Sequence, residues 1–154
     1  MSAPTERLRE LGITLPSVAT PAGAYIPARR TGSLVFTAGQ VPLVDGKLAA
    51  TGKVGAEVDA DEAYRLARTC ALNALAAVDA LVGLDAITGV VKVVGFVASA
   101  PGFTGQPAVV NGASDVLGEI FGDAGRHARS AVGVAELPMG APVEVELIVE
   151  VAGS

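Results

Sequence analysis

Few side chains in this sequence can do chemistry, and most of them fall in its last third. Arg129 lies in His127-Ala128-Arg129-Ser130-Ala131-Val132, between an apolar helical stretch and a strand. A guanidinium there reads either as a surface cation capping a loop or as a planar fork for a carboxylate, a task that arginine performs better than lysine. Glu144 lies in Val143-Glu144-Val145-Glu146. It reads either as one more solvated glutamate of a Val-Glu alternation or as a general acid/base whose pKa is raised by burial at a subunit boundary. His127 is the one histidine and Cys70 the one cysteine. A lone histidine is more often structural or exposed than catalytic. Cys70 falls on the apolar face of a helix, where an inert buried thiol is the usual case.

The scarcity of such residues excludes several functions. One cysteine cannot build a disulfide framework. Cys70 and His127 alone cannot form a zinc cage, and a Ser-His-Asp triad would have to recruit His127. A formal net charge of −5 with no Lys/Arg run disfavours nucleic-acid binding. No run of about 18 apolar residues is present, so no membrane-spanning helix is expected. Residues 1–12 carry Glu6, Arg7, Arg9 and Glu10 without an apolar h-region, so they do not read as a signal peptide. With a single unpaired cysteine, the expected compartment is the cytoplasm.

The elements that must position Arg129 and Glu144 follow from periodicity. The 154 residues bound the chain to one domain, 1–154, in which residues 1–20 form an N-terminal helical extension. Thr5 to Leu11 reads as a short helix, with Thr5 at its cap and Gly12 at its end. Tyr25–Arg30 and Leu34–Ala38 read as strands joined at Thr31-Gly32. Asp45-Gly46 closes a small hairpin. From Asp59 to Val82 apolar residues recur at helical spacing, through Ala63, Leu66, Ala67, Cys70, Ala74, Leu75, Val78, Leu81 and Val82. Asp59 or Asp61 can cap that helix and Gly83 stops it. Val90–Ala98 is a strand apolar on both faces. Ala108–Phe121 is a second long helix, and strands over Ala131–Ala135 and Val143–Val151 end the chain.

The resulting order is β-β-α-β-α-β-β, an α+β fold with two helices on one face of a mixed sheet. Two helices cannot cover both faces, yet the Val90 strand is apolar on both. Half of all residues are hydrophobic (51%), and the sheet face without helices is where that excess is expected, buried between subunits of a closed homo-oligomer.

Several short blocks, in order along the chain, carry a resemblance. Ala128-Arg129-Ser130-Ala131-Val132, Leu137-Pro138 and Val143-Glu144-Val145-Glu146 resemble the C-terminal signature of the Rid family of reactive-intermediate deaminases, also called YjgF-like or L-PSP proteins. Gly23-Ala24-Tyr25, Phe36-Thr37-Ala38-Gly39-Gln40-Val41-Pro42 and Val109-Val110-Asn111 resemble further blocks of that family. The likeness spans residues 23–151. It implies a chorismate-mutase-like fold assembled as a homotrimer with clefts between subunits. It also implies hydrolysis of 2-imino acids and their enamine tautomers, released by pyridoxal-phosphate enzymes, to 2-keto acids and ammonia, with no metal and no organic cofactor. Carried over by position, Arg129 grips the substrate carboxylate and Glu144 serves the attacking water. Tyr25, Gly39, Asn111 and Ala131 line the pocket.

The chain also departs from the family pattern. Ala24 replaces a proline, Ala38 a serine, and Ala131 a cysteine or threonine. His127 stands where proline usually precedes Ala-Arg-Ser. The loop 99–107 is longer and the N-terminal helix is added. A non-catalytic trimeric module that binds small carboxylate metabolites is therefore the alternative. Ribonuclease activity, which an older family name suggests, conflicts with the negative charge.

Overall fold

The computed structural model describes residues 2–153, and it is built around one twisted sheet of five strands. The main elements in chain order are α1 (Pro4–Leu11), β1 (Ala28–Thr31), β2 (Leu34–Thr37), β3 (Leu43–Val44), β4 (Lys47–Leu48), α2 (Ala60–Val82), β5 (Ile87–Ala98), α3 (Gln106–Phe121), β6 (Ala128–Val134) and β7 (Val143–Val151). The large sheet runs β1-β2-β7-β5-β6, and β3-β4 is a separate hairpin. Only β5 and β6 are parallel, and helix α3 makes the crossover that a parallel pair needs.

Helices α2 and α3 both pack on one face of this sheet. That face is lined by Val143, Val145, Leu147, Val149 and Val151 of β7 and by Val90, Val93 and Val97 of β5, all buried. Among the described residues the opposite face carries no helix. In a single chain it presents Leu34 and Phe36 of β2, Val94 and Phe96 of β5, Val132 of β6 and Ile148 of β7, each exposed or half-buried. The face without helices is thus apolar, as the strand patterns predict, while most of the apolar residues lie in the core between the sheet and the helices.

The local signals act as expected at most boundaries. Asp59 caps α2 by accepting the Glu62 amide at 2.8 Å. Gly12 takes a left-handed φ of 69° and ends α1. The β3-β4 turn places Asp45 and Gly46 at φ 52° and 80°, the pair of positive angles that an Asp-Gly hairpin turn requires.

Other expectations are corrected. Thr5 does not cap α1, which starts at Pro4. Instead its amide and hydroxyl each bond the Asp85 carboxylate at 2.8 Å and dock α1 on the turn that follows α2. β1 begins at Ala28 rather than Tyr25, because Pro27 has no N–H to donate and Tyr25 bonds back to Gly23. The β1-β2 turn falls on Gly32-Ser33, since Thr31 pairs with Leu34. Leu81, assigned to the apolar face of α2, is 46% exposed in the last turn. β5 starts at Ile87 and α3 at Gln106. β6 runs from Ala128, drawn three residues earlier by its parallel pairing with Lys92–Val94, so Arg129 sits within the strand.

The two long helices cross closely at Gly112. An added Cβ there would collide with the Tyr64 carbonyl oxygen of α2, a backbone atom that cannot step aside. Gly112→Ala is expected to cost about 3 kcal/mol or more by overpacking. In a thermal melt that lowers Tm by roughly 6–12 °C for a chain of this size. A shift under about 2 °C would mean the helices part freely.

Candidate functional site

Pairing register sorts the predicted site residues onto the two faces of the sheet. Val93 pairs with both Arg129 and Leu147, so Arg129 shares the face of the buried Leu147, beneath the helices. Phe96 pairs with both Val132 and Glu144, so Glu144 lies on the open face. The six residues therefore fall into two groups that do not meet within one chain.

The first group is Arg129, Asn111 and Ala131. The Arg129 guanidinium is fixed against the N-terminal half of α3. Its Nη1 donates to Asn111 Oδ1 at 2.7 Å and to Ser114 Oγ at 3.2 Å, and its Nη2 donates to the Pro107 carbonyl at 3.4 Å. All three partners are neutral. Among the described residues no carboxylate pairs with Arg129; the ion pairs there involve Arg7, Lys53 and Arg68. A cation oriented by neutral oxygens keeps its full charge for an anionic ligand. Ala131 lies two residues further along the same face of β6, half-buried against the core.

The second group is Tyr25, Gly39 and Glu144. These three line a cleft of about 570 Å³, walled by residues 19–22, Gln40, Val41, Leu43 and Met139. Gly39 lies directly over the Glu144 carboxylate, since a Cβ built there would fall on it. Burial pushes the Glu144 carboxyl above the ordinary glutamate range, and the neighbouring Glu146 charge adds to the effect. Backbone bonds between Gln40 and Val145, 2.8 and 3.0 Å long, pin the Gly39 segment beside β7. Tyr25 is 51% exposed at the rim.

Ser114 was not singled out in the sequence, although it lies one helical turn from Asn111 and so on the same side of α3. It links Arg129 to His127, whose Nε2 lies 2.9 Å from the Ser114 hydroxyl and whose Nδ1 lies 2.6 Å from the Gly125 carbonyl. Asn73 is a second omission. It is buried in α2 and donates to the carbonyls of Val41 and Leu43, each at 3.1 Å, anchoring the strand-end segment that carries Gly39. Cys70 is fully buried, burial drives its thiol pKa far up, and it is a core residue as expected. Among the described residues there is no cluster of His, Cys, Asp or Glu able to hold a metal ion, and no helix is long and apolar enough to cross a membrane.

A mixed five-stranded sheet with two long helices on one face defines a chorismate-mutase-like α+β protein. Its two polar clusters, one around Arg129 and one around Glu144, are held on opposite faces of the sheet. The chain belongs to the YjgF family: the family described as "YjgF/chorismate mutase-like, putative endoribonuclease" matches residues 5–151. It is 45% identical over 145 residues to Protein TCP17 of Trypanosoma cruzi, covering 93% of this chain and 91% of that protein. The crystal structure of an Agrobacterium tumefaciens protein of unknown function matches with a TM-score of 0.89 and 46% identity, over 97% of this chain and 93% of that one. E. coli TdcF with bound serine matches with a TM-score of 0.66 and 26% identity, over 90% and 96% of the respective chains.

Proposed function

We propose that this protein is a 2-imino acid/enamine deaminase acting as a cytoplasmic homotrimer. Each site takes Arg129, Asn111 and Ala131 from one chain and Tyr25, Gly39 and Glu144 from its neighbour. The observation that carries this reading is the Arg129 fork, oriented by three neutral oxygens and left without a carboxylate partner. A 2-imino acid supplies that carboxylate. Serine, the ligand of the related TdcF structure, bears the same α-carboxylate group. The apolar open face of the sheet supplies the surface through which chains associate.

Within this reading the chemistry is light. Gripping the carboxylate orients the C=N carbon and removes an orientational cost. Glu144 takes a proton from water as the oxygen bonds to that carbon, and protons pass to nitrogen. The C–N bond then breaks, releasing ammonia and the 2-keto acid. A positioned carboxylate contributes about 10²–10⁴-fold to such a step. Nothing here calls for a metal, an organic cofactor, a thiol or an imidazole. Of the other activity in the family's description, RNA cleavage, the net charge of −5 offers no support.

The test is to add purified protein to a threonine dehydratase or amino-acid oxidase reaction and follow ammonia and keto-acid release. Acceleration over buffer supports the deaminase. Thermal stabilisation by 2-keto acids without turnover would instead favour a binding module.

Gly39→Ala gives a sharper check. The new methyl displaces the Glu144 carboxylate, and misplacement of a catalytic group by about 1 Å costs on the order of 10²-fold. The residue is exposed and its neighbour is a mobile side-chain end, so Tm should stay within about 2 °C. Activity at the wild-type level in Gly39→Ala would remove Glu144 from the mechanism.

A further inference from the structure

We propose that His127 is a positioning residue for the carboxylate-binding arginine, acting through Ser114. This rests on the reading that Arg129 holds the substrate carboxylate.

With the ring neutral, the hydrogen-bond chain has one consistent direction. The Gly125 carbonyl can only accept, so His127 Nδ1, 2.6 Å away, carries the ring proton of the neutral imidazole. Nε2 is then bare and accepts from the Ser114 hydroxyl at 2.9 Å. With its hydrogen committed to the ring, the hydroxyl turns a lone pair to Arg129 Nη1, which donates to it at 3.2 Å. The same Nη1 donates to Asn111 Oδ1 at 2.7 Å. Two acceptors one helical turn apart thus set the plane of the guanidinium, and His127 decides which way one of them faces. Without an acceptor at Nε2, the Ser114 hydroxyl is free to rotate and present its hydrogen toward the cation. Asn111 and the long Pro107 contact would then hold the fork alone.

The backbone favours this role. Gly125 is buried, and a Cβ there would meet the Leu117 carbonyl at 2.6 Å, so the turn that offers its carbonyl to His127 is packed tightly on α3. Ser114 is on α3 as well. Histidine and serine are both referred to the same helix, and β6 delivers Arg129 to it.

Two measurements decide the matter. As the protein has one histidine, its ring 15N signals can be assigned without ambiguity. At a pH where the ring is neutral they should show Nδ1 protonated and Nε2 unprotonated, and the Nε2 signal should move in Ser114→Ala. An Nε2–H tautomer would overturn the proposal whether or not any ligand binds.

Affinity for 2-oxobutyrate, measured by calorimetry, is the second readout. His127→Asn keeps a donor for Gly125 but offers Ser114 no acceptor, and should weaken binding roughly threefold to tenfold, as loss of one net hydrogen bond does. His127→Gln can present Oε1 to Ser114 and should recover most of that loss. In a Ser114→Ala background the His127→Asn change should have no further effect, because the link is already cut. Additive losses, or equal losses for Asn and Gln, would make His127 merely structural and refute the proposal. Arg129→Ala separates the two claims. If it leaves 2-oxobutyrate affinity unchanged, the carboxylate reading of Arg129 fails. If it abolishes binding while His127→Asn does nothing, only the positioning role fails.

Discussion

Arg129→Ala is expected to lower kcat/KM for 2-imino acids by roughly 10²–10³-fold while leaving the fold intact. Truncating one partner of a buried, hydrogen-bonded charge pair costs about 2–5 kcal/mol, which brackets that range. Part of the loss is affinity, and part is orientation of the C=N bond toward the attacking water. Stability should change little, because Arg129 is half-exposed and its three acceptors remain open to water once it is gone. Arg129→Lys keeps the charge without the planar fork and should recover only a minor part of the activity. Ammonia release, a thermal melt and a sizing column on the same preparations check all of this. An Arg129→Ala protein within threefold of wild type would remove the arginine from the site.

The placement of Arg129 and Glu144 on opposite faces adds a consequence for mixed assemblies. In a cyclic oligomer with sites between neighbours, unfolding and co-refolding equal amounts of Arg129→Ala and Glu144→Gln chains regenerates about one quarter of the sites, each with both native groups. If both groups served from one chain, the mixture would remain inactive.

How much of this was legible in the sequence depended on the kind of force involved. The long helix was readable because Asp59, the apolar repeat through Val78 and Gly83 all point to the same element. The one-sided helix layer followed from counting helices against strands, and the uncovered apolar face followed from it. Boundaries were misjudged where a long-range partner overrode a local signal. Asp85, distant in sequence, took Thr5 away from a capping role. Parallel pairing with β5 extended β6 back to Ala128. Arg129 and Glu144 were candidates from their own chemistry, and resemblance to a family added Tyr25, Gly39, Asn111 and Ala131. The alternation of β7 puts Glu144 on its less apolar face, but only strand pairing shows that Arg129 lies on the other. That division rests on pairing register: Arg129 aligns with Val93 and Glu144 with Phe96, and three residues along β5 reverse the face. Ser114 escaped notice because a helical serine has no distinguishing pattern until its partners are known.

Glu144→Gln should show loss of function together with a gain in stability at neutral pH. The amide cannot accept a proton from water, so activity falls by about 10²–10⁴-fold. The stability sign follows from the direction of the Glu144 shift. Burial, reinforced by Glu146, raises the folded-state pKa above the unfolded value of about 4.3. Between those two values the folded chain binds more protons than the unfolded one. Wild-type stability therefore falls as pH rises through that window, and above it the full penalty of holding a charged carboxylate in the cleft persists. Glutamine carries no such penalty, so the variant should melt above wild type at pH 7, and the difference should vanish below pH 4. The same shift sets the pH profile. Wild-type kcat/KM, which reports the free enzyme, should rise with pH to a midpoint above the ordinary glutamate range, as the base must lose its proton to act. Glutamine at 144 melting below wild type at pH 7, with activity retained, would return Glu144 to the solvated Val-Glu alternation. A base strained by its own site leaves the opposite trace, in which its removal costs activity and relieves the fold.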